Sequence, residues 1–170
     1  MNMKKITTVI TFSILLFFGT GLFAQTSASL KTEIIDLNKA QYSNESFQLI
    51  LDKYKGKVIY LDFWASWCAP CKREMPYSEK LQEEFKGQDV VFVYMSVDRN
   101  GQSWLNMVNQ LQLTGEHYLS NAAIQQQLNA RFNVRSIPRY VLIDKNGKVV
   151  NANAARPSSP TIISDIKKLL

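Results

Sequence analysis

The sequence predicts an α/β domain with a central mixed sheet covered by helices on both faces. Three observations carry this. The runs Val58 to Trp64 and Val90 to Val97 are β-branched and aromatic throughout, as strands buried on both faces are. Stretches with apolar residues at helical spacing alternate with them, which demands a layered α/β arrangement. Near the C-terminal end, Asp144-Lys145-Asn146-Gly147 separates Tyr140 to Ile143 from Lys148-Val149-Val150, and Asn-Gly in that setting signals a tight hairpin.

Taken in order, Thr32 to Leu37 reads as a short strand. Asn44 or Ser46 can cap a helix running towards Tyr54, which Lys55-Gly56-Lys57 stops. Val58 to Trp64 is the first buried strand. Tyr77, Leu81 and Phe85 then give a helix that ends at Gly87. Val90 to Val97 is the second buried strand. Two helical stretches follow, one with Trp104, Val108 and Leu111, the other with Ile124, Leu128 and Phe132. Strand, turn, strand and a closing helix carrying Ile162, Ile163, Ile166 and Leu169 complete the chain. The expected order is β-α-β-α-β, a helical insert, then β-β-α.

At 170 residues and 46% hydrophobic, the chain has the material for one domain with one ordinary core, or one domain and a tail. No internal repeat, low-complexity tract or Pro-rich linker divides it. Met1 to Lys5 is short and positive, Ile6 to Phe18 is apolar apart from Thr and Ser, and Gly19-Thr20-Gly21 precedes Leu22-Phe23-Ala24 and Gln25. Residues 1–24 therefore read as an export signal cleaved before Gln25, with an uncleaved membrane anchor as the alternative. Residues 25–170 form the working domain, opening on polar Thr26 to Leu30. Lipid anchoring is unsupported because no cysteine follows the apolar stretch. Basic residues outnumber acidic ones 20 to 14; without Lys4 and Lys5 the ratio is 18 to 14, and no basic run is interleaved with aromatics. Nucleic acid is excluded as a partner on that ground.

The chemistry concentrates at Cys68 and Cys71, the two cysteines of the chain. A bridge across two residues restrains little of the unfolded chain, so the pair is poorly placed to be a structural staple. It lies where a buried strand gives way to an amphipathic helix. The unpaired amides and positive end of that helix favour an anion at Cys68, and Lys72 and Arg73 add charge. Cys71, a helical turn away, can attack a mixed disulfide formed at Cys68, so the two make a complete two-electron couple. Zinc would need further Cys or His ligands, and His117 stands alone, at an expected surface or turn position without a role. Copper with Met75 as an added ligand is a weaker alternative, since a helical Met beside Tyr77 and Leu81 suits the core. No metal or other cofactor is assigned.

The run Val58 to Cys71 with Lys72-Arg73-Glu74-Met75-Pro76 resembles the thioredoxin superfamily, and within it the TlpA/ResA-like branch of exported reductases. The resemblance covers roughly residues 55–170. It implies the thioredoxin fold, with the insert between about Asn100 and Asn133 standing before the cis-proline strand. It places Asp62 as a buried acid, Pro76 as a helix-kinking proline and Ile137-Pro138 as a cis-proline loop. Asp62 is either such an acid or a strand-end residue reaching water; burial would raise its pKa and suit it to shuttle the Cys71 proton. Trp67 and Pro70 would flank the sulfurs, and Ile137 would offer its backbone to an extended substrate. Two departures stand out. Val93-Tyr94-Met95-Ser96 has no lysine to partner the acid, and Asn151 to Ala155 has no glycine after the final strand.

The function implied is exported, periplasmic thiol–disulfide oxidoreduction. Oxidised protein cysteines, apocytochrome c among them, would be substrates and a membrane thiol would donate the electrons. The alternatives are a disulfide oxidase or isomerase, and a copper- or partner-binding module on the same fold.

Overall fold

A computed structural model describes residues 32–112 and 114–170. The expected export signal, residues 1–24, and the polar segment Thr26 to Leu30 lie outside the described residues. Among the described residues six strands and five α-helices follow in the order β1 (Glu33–Asp36), α1 (Phe47–Asp52), β2 (Val58–Trp64), α2 (Ala69–Glu84), β3 (Val90–Ser96), α3 (Gly101–Leu111), β4 (Glu116–Leu119), α4 (Ala122–Phe132), β5 (Arg139–Ile143), β6 (Val149–Asn151) and α5 (Ile162–Lys167).

The strands make one sheet in the order β1-β4-β3-β2-β5-β6. The first four are parallel to their neighbours, whereas β5 runs antiparallel to β2 and β6 to β5. Every residue of β2 is buried, as its unbroken apolar run requires. Alternate side chains enter two separate cores. Tyr60 and Trp64 join Met75, Leu81, Trp104 and Ile166 on one face, while Ile59, Leu61 and Phe63 join Phe47, Ile50, Ile124 and Leu128 on the other. The mixed sheet with helices on both faces is therefore as expected, and so are the hairpin and the cap of α1, where Ser46 Oγ accepts from Leu49 N at 3.2 Å.

Three expectations need correcting. The insert is not purely helical, because β4 lies between α3 and α4 and pairs with both β3 and β1. Glu116-His117-Tyr118-Leu119 has too few β-branched residues to announce a strand; two neighbouring strands impose it. Gly115 admits the chain there at φ +106°, where an added Cβ would meet Phe92 O and the Tyr94 ring at 3.0 Å. His117 is accordingly not at the surface. It is fully buried in β4, its ring stacked on Tyr94 at 4.7 Å. Finally, Tyr77 and Ile163 are exposed rather than on the buried helix faces. The inward face of α2 is Cys71, Glu74, Met75, Ser78, Leu81 and Gln82, one residue out of phase with Tyr77.

Candidate active site

Beyond Trp64 the chain makes a tight turn, closed by Cys68 N–H donating to Ala65 O at 3.0 Å, and α2 begins. Cys68 is the N-cap of α2, with extended backbone, and its Sγ accepts from Cys71 N at 3.2 Å. The sulfur thus takes the part that a Ser or Asp oxygen plays in an ordinary cap, where orphan amides and the helix dipole stabilise negative charge. Cys68 and Cys71 are joined by a disulfide. Cys68 retains 4% exposure and Cys71 none, so an external thiol or thiolate meets Cys68 first.

The turn is held from the side by a residue that the sequence reading passed over. Asp98, just beyond β3, accepts from Ser66 N at 2.8 Å, Ser66 Oγ at 2.7 Å and Ser96 Oγ at 2.7 Å, all buried. These bonds fix the residues immediately before Cys68 to the end of the neighbouring strand. A buried aspartate two residues beyond a strand-end serine is the signal that could have found it, but the pairing partner is 32 residues away.

Asp62 is 2% exposed and shares the face of Tyr60 and Trp64, the face that α2 and the cysteines cover. It is a buried acid and not a strand-end residue reaching water. Burial, and then the Glu74 charge, push its carboxyl well above the usual carboxylate range. Its neighbours in register are Tyr94 on β3 and Tyr140 on β5. The missing lysine is therefore replaced by aromatic residues. Tyr94 directs its hydroxyl away, to Ser78 and to Gln82 Nε2 at 2.7 Å. Among the described residues, nothing hydrogen-bonds Asp62 Oδ1 or the Tyr140 hydroxyl.

Glu74 is a second acid beneath this face that the sequence reading used only as part of a motif. Its spacing from Cys71 puts it on the inward face of α2. Its carboxylate accepts from Ser158 N at 3.0 Å and Ser158 Oγ at 3.1 Å, with Arg156 Nη1 at 3.9 Å. The glycine-free segment after β6 is thereby tied to α2.

The Ile137–Pro138 peptide bond is cis. Among the described residues neither the N–H nor the carbonyl of Ile137 has a hydrogen-bond partner. Ile137 and Trp67 line one cleft of about 450 Å³ together with Phe63, Val97, Leu128 and Val134. Trp67 is 66% exposed, so it forms a wall of this cleft and is not core. A second cleft of about 480 Å³ shares Trp67 and Val97 with the first and is lined also by Ser66, Arg99, Asn100 and Ser103. Met75 is buried in the core under α2, and Pro76 lies inside that helix. The structure thus sets Asp62 and the Cys68–Cys71 pair on one face of the sheet, and lines one cleft with Trp67 and Ile137. Half-buried Pro138 follows Ile137, outside the residues that line the cleft. The assembly offers a cysteine pair with one accessible sulfur, a buried acid on the same face of the sheet and a cleft lined by the neighbouring Trp67.

Comparison with known proteins agrees with this arrangement. The Redoxin family model matches residues 33–170. A thiol-disulfide oxidoreductase ResA of Bacillus thuringiensis (strain Al Hakam) is 30% identical over 125 residues, covering 74% of this chain and 70% of the relative. A candidate thiol-disulfide oxidoreductase from Bacteroides vulgatus, known from its crystal structure, is 38% identical with a TM-score of 0.64, covering 71% of this chain and 83% of that one. A candidate thiol:disulfide interchange protein DsbE from Chlorobium tepidum is 26% identical with a TM-score of 0.56, over 70% of this chain and 81% of the other.

Proposed function

The chain belongs to the redoxin family of the thioredoxin superfamily, and from that premise we propose that it reduces protein disulfides outside the cytoplasm through Cys68 and Cys71. It is a thiol–disulfide oxidoreductase, as its ResA relatives are. The observation that carries the roles of the two sulfurs is the cap geometry: Cys68 Sγ faces the helix amides and retains some exposure, while Cys71 is sealed. The reducing direction rests on the resemblance to exported reductases and on Asp62, a buried acid that opposes a strongly stabilised thiolate.

In the reducing direction, the Cys68 thiolate attacks one sulfur of a substrate disulfide. A new S–S bond forms, the substrate bond breaks, and the departing sulfur leaves as a thiolate that takes up a proton. The Cys71 thiol then gives up its proton, and its thiolate attacks Cys68 Sγ. This restores the Cys68–Cys71 bond and releases the second substrate thiol. Two electrons pass from the protein to the substrate. Asp62, held on the same face with its pKa raised, is the group suited to receive the Cys71 proton. A thiol donor must then reduce the protein, and by resemblance this donor is a membrane protein and apocytochrome c a substrate. Export rests on the positive-then-apolar pattern of residues 1–24.

Trapping tests the roles of the sulfurs. Cys71→Ser should accumulate reducible adducts through Cys68, and Cys68→Ser should give almost none; equal trapping by both would reverse or void the assignment. Direction is tested by equilibration with glutathione. A potential near that of a strong oxidant, roughly −120 mV, would overturn the reductase reading. Mass spectrometry of the exported protein should find a chain beginning at or near Gln25; an intact N-terminus in membranes would favour the anchor.

A further inference from the structure

The two clefts beside Trp67 differ in chemistry, and the difference bears on which disulfides the site accepts. The first has an apolar floor of Phe63, Leu128, Val134 and Ile137. Its volume of about 450 Å³ lies at the small end for binding clefts, enough for a large side chain and its flanking backbone. Arg135 stands on its rim, exposed, with Nε donating to the neutral Asn133 Oδ1 at 3.2 Å. Arg99 lines the second cleft. Among the described residues no carboxylate pairs with either arginine. The one acid lining these clefts, Asp98, is 4% exposed and occupied by Ser66 and Ser96. Lys72 and Arg73 add further positive charge within the first two turns of α2. The groove is therefore apolar at its base and uncompensated in charge at its rim.

Resting on the oxidoreductase reading above, we infer that the cleft of Phe63, Leu128 and Ile137 selects substrate segments with an apolar residue next to the attacked cysteine and an acidic residue beyond it, the acid being read by Arg135. The apolar side chain leaves water for the cleft floor, and the segment's backbone pairs with the open N–H and carbonyl of Ile137. The acidic side chain answers a guanidinium that has no carboxylate of its own. That contact contributes to specificity and encounter more than to raw affinity, as partly exposed charge pairs do. A basic residue at the same place would meet Arg135 with like charge.

The test uses disulfide-closed peptides that are identical except beside their cysteines, where each carries Leu then Glu, Leu then Lys, or Ser then Glu on both outer sides. The second-order rate constant for oxidation of the reduced protein is measured with each in a single turnover, and with neutral hydroxyethyl disulfide. Leu–Glu should exceed Leu–Lys by about fivefold at low salt. That preference should shrink towards unity at about 0.5 M salt. Leu–Glu should exceed Ser–Glu by about tenfold. Arg135→Gln should erase the charge preference and Arg135→Glu should invert it, read as a ratio within each variant so that altered folding cancels. Equal rates for either peptide pair, or a Glu preference that survives Arg135→Glu, would overturn the inference. So would a preference that fades as protein concentration rises, which would assign the cleft to a second copy of the chain. Failure to reduce even hydroxyethyl disulfide would instead overturn the oxidoreductase reading itself.

Discussion

Along β2 the side chains of Ile59, Leu61 and Phe63 enter one core, and those of Tyr60, Asp62 and Trp64 enter the other. The first core, under α1 and α4, is hydrocarbon and ring edges; Phe47 meets Phe132 edge-on at 5.6 Å, and its tyrosine hydroxyls, Tyr54 and Tyr118, satisfy each other at 2.6 Å. The second core, under α2, α3 and α5, holds Asp62 Oδ1, Trp64 Nε1, Trp104 Nε1 and the Tyr140 hydroxyl, none with a hydrogen-bond partner among the described residues. Each such atom costs stability, and beside α1 the comparable atom is Glu45 Oε2, whose sister oxygen is paired with Lys53. The same strands therefore build a scaffold on one side and a reactive environment on the other, and Cys68 caps the helix that covers the reactive side. Departures from ideal packing gathered around a site are what a functional constraint leaves behind.

The largest expected effect belongs to the scaffold face. Leu61 is fully buried beside Asp62 in sequence and opposite to it in space. Leu61→Ala should cost about 3 kcal/mol in denaturant unfolding, through lost transfer energy and the cavity left behind. The pH dependence of thiolate absorbance should be unchanged in the folded variant. A shifted Cys68 profile there would show that the two faces are not separable.

Asp62→Asn is the complementary change on the reactive face. It should slow resolution of a mixed disulfide by about 100-fold in single-turnover experiments, the usual size of a lost proton acceptor. Its effect on stability should depend on pH in a defined sense. A folded carboxyl raised above its ordinary value of 3.8 leaves stability intact below that value, and stability is lost as pH rises through the folded value. Asp62→Asn removes this loss. At pH 7 to 8 it should stabilise the oxidised protein by more than the roughly 0.5 kcal/mol of a neutral surface change, and near pH 4 it should do little. Equal gains at both pH values would show that Asp62 is not raised.

Glu74→Gln should have a smaller effect. Ser158 keeps an acceptor, so unfolding should shift by about 1 kcal/mol. Removing the charge should also bring Asp62 back towards its ordinary range, so the stability lost to Asp62 as pH rises should be smaller and should level off at lower pH than in the parent protein. An unchanged pH profile would mean that burial alone raises Asp62.

The smallest expected change lies at the surface of the same helix layer. Lys167 Nζ and Glu84 meet at 2.7 Å, but both side chains are about half exposed, at 53% and 41%. Lys167→Met should alter stability by no more than about 0.5 kcal/mol, less still at high salt. A larger loss would mean that α5 is held to α2 by charge rather than by Ile162 and Ile166.

Much of this contrast was legible in the residues. Asp62 interrupts an apolar run, and period-two alternation places it with Tyr60 and Trp64 without any coordinates. The cysteine pair at a strand-to-helix junction announced the chemistry and which sulfur sits at the helix end; that Cys71 is sealed came only from the structure. The strand β4 was not legible, because its four residues owe their conformation to β3 and β1 rather than to their own preferences. His117 was misplaced for the same reason, since a lone histidine before an unrecognised strand has no face to be assigned to. The clamp of Asp98 on Ser66 and the bond of Ser158 to Glu74 join residues 32 and 84 positions apart, beyond any local pattern.

By itself, the sequence determined the layered α/β class, the hairpin, the two β2 faces and the redox pair, because each depends on periodicity or on neighbours within a few residues. Only the tertiary structure decided which groups surround that pair. It set Tyr94 and Tyr140 in register with Asp62, Asp98 against the turn before Cys68, and Arg135 on the rim of the cleft beside Trp67. The physical reason is that hydrophobic patterning specifies which side of an element turns inward, whereas the partner met there depends on strand order and register, which the whole chain settles together.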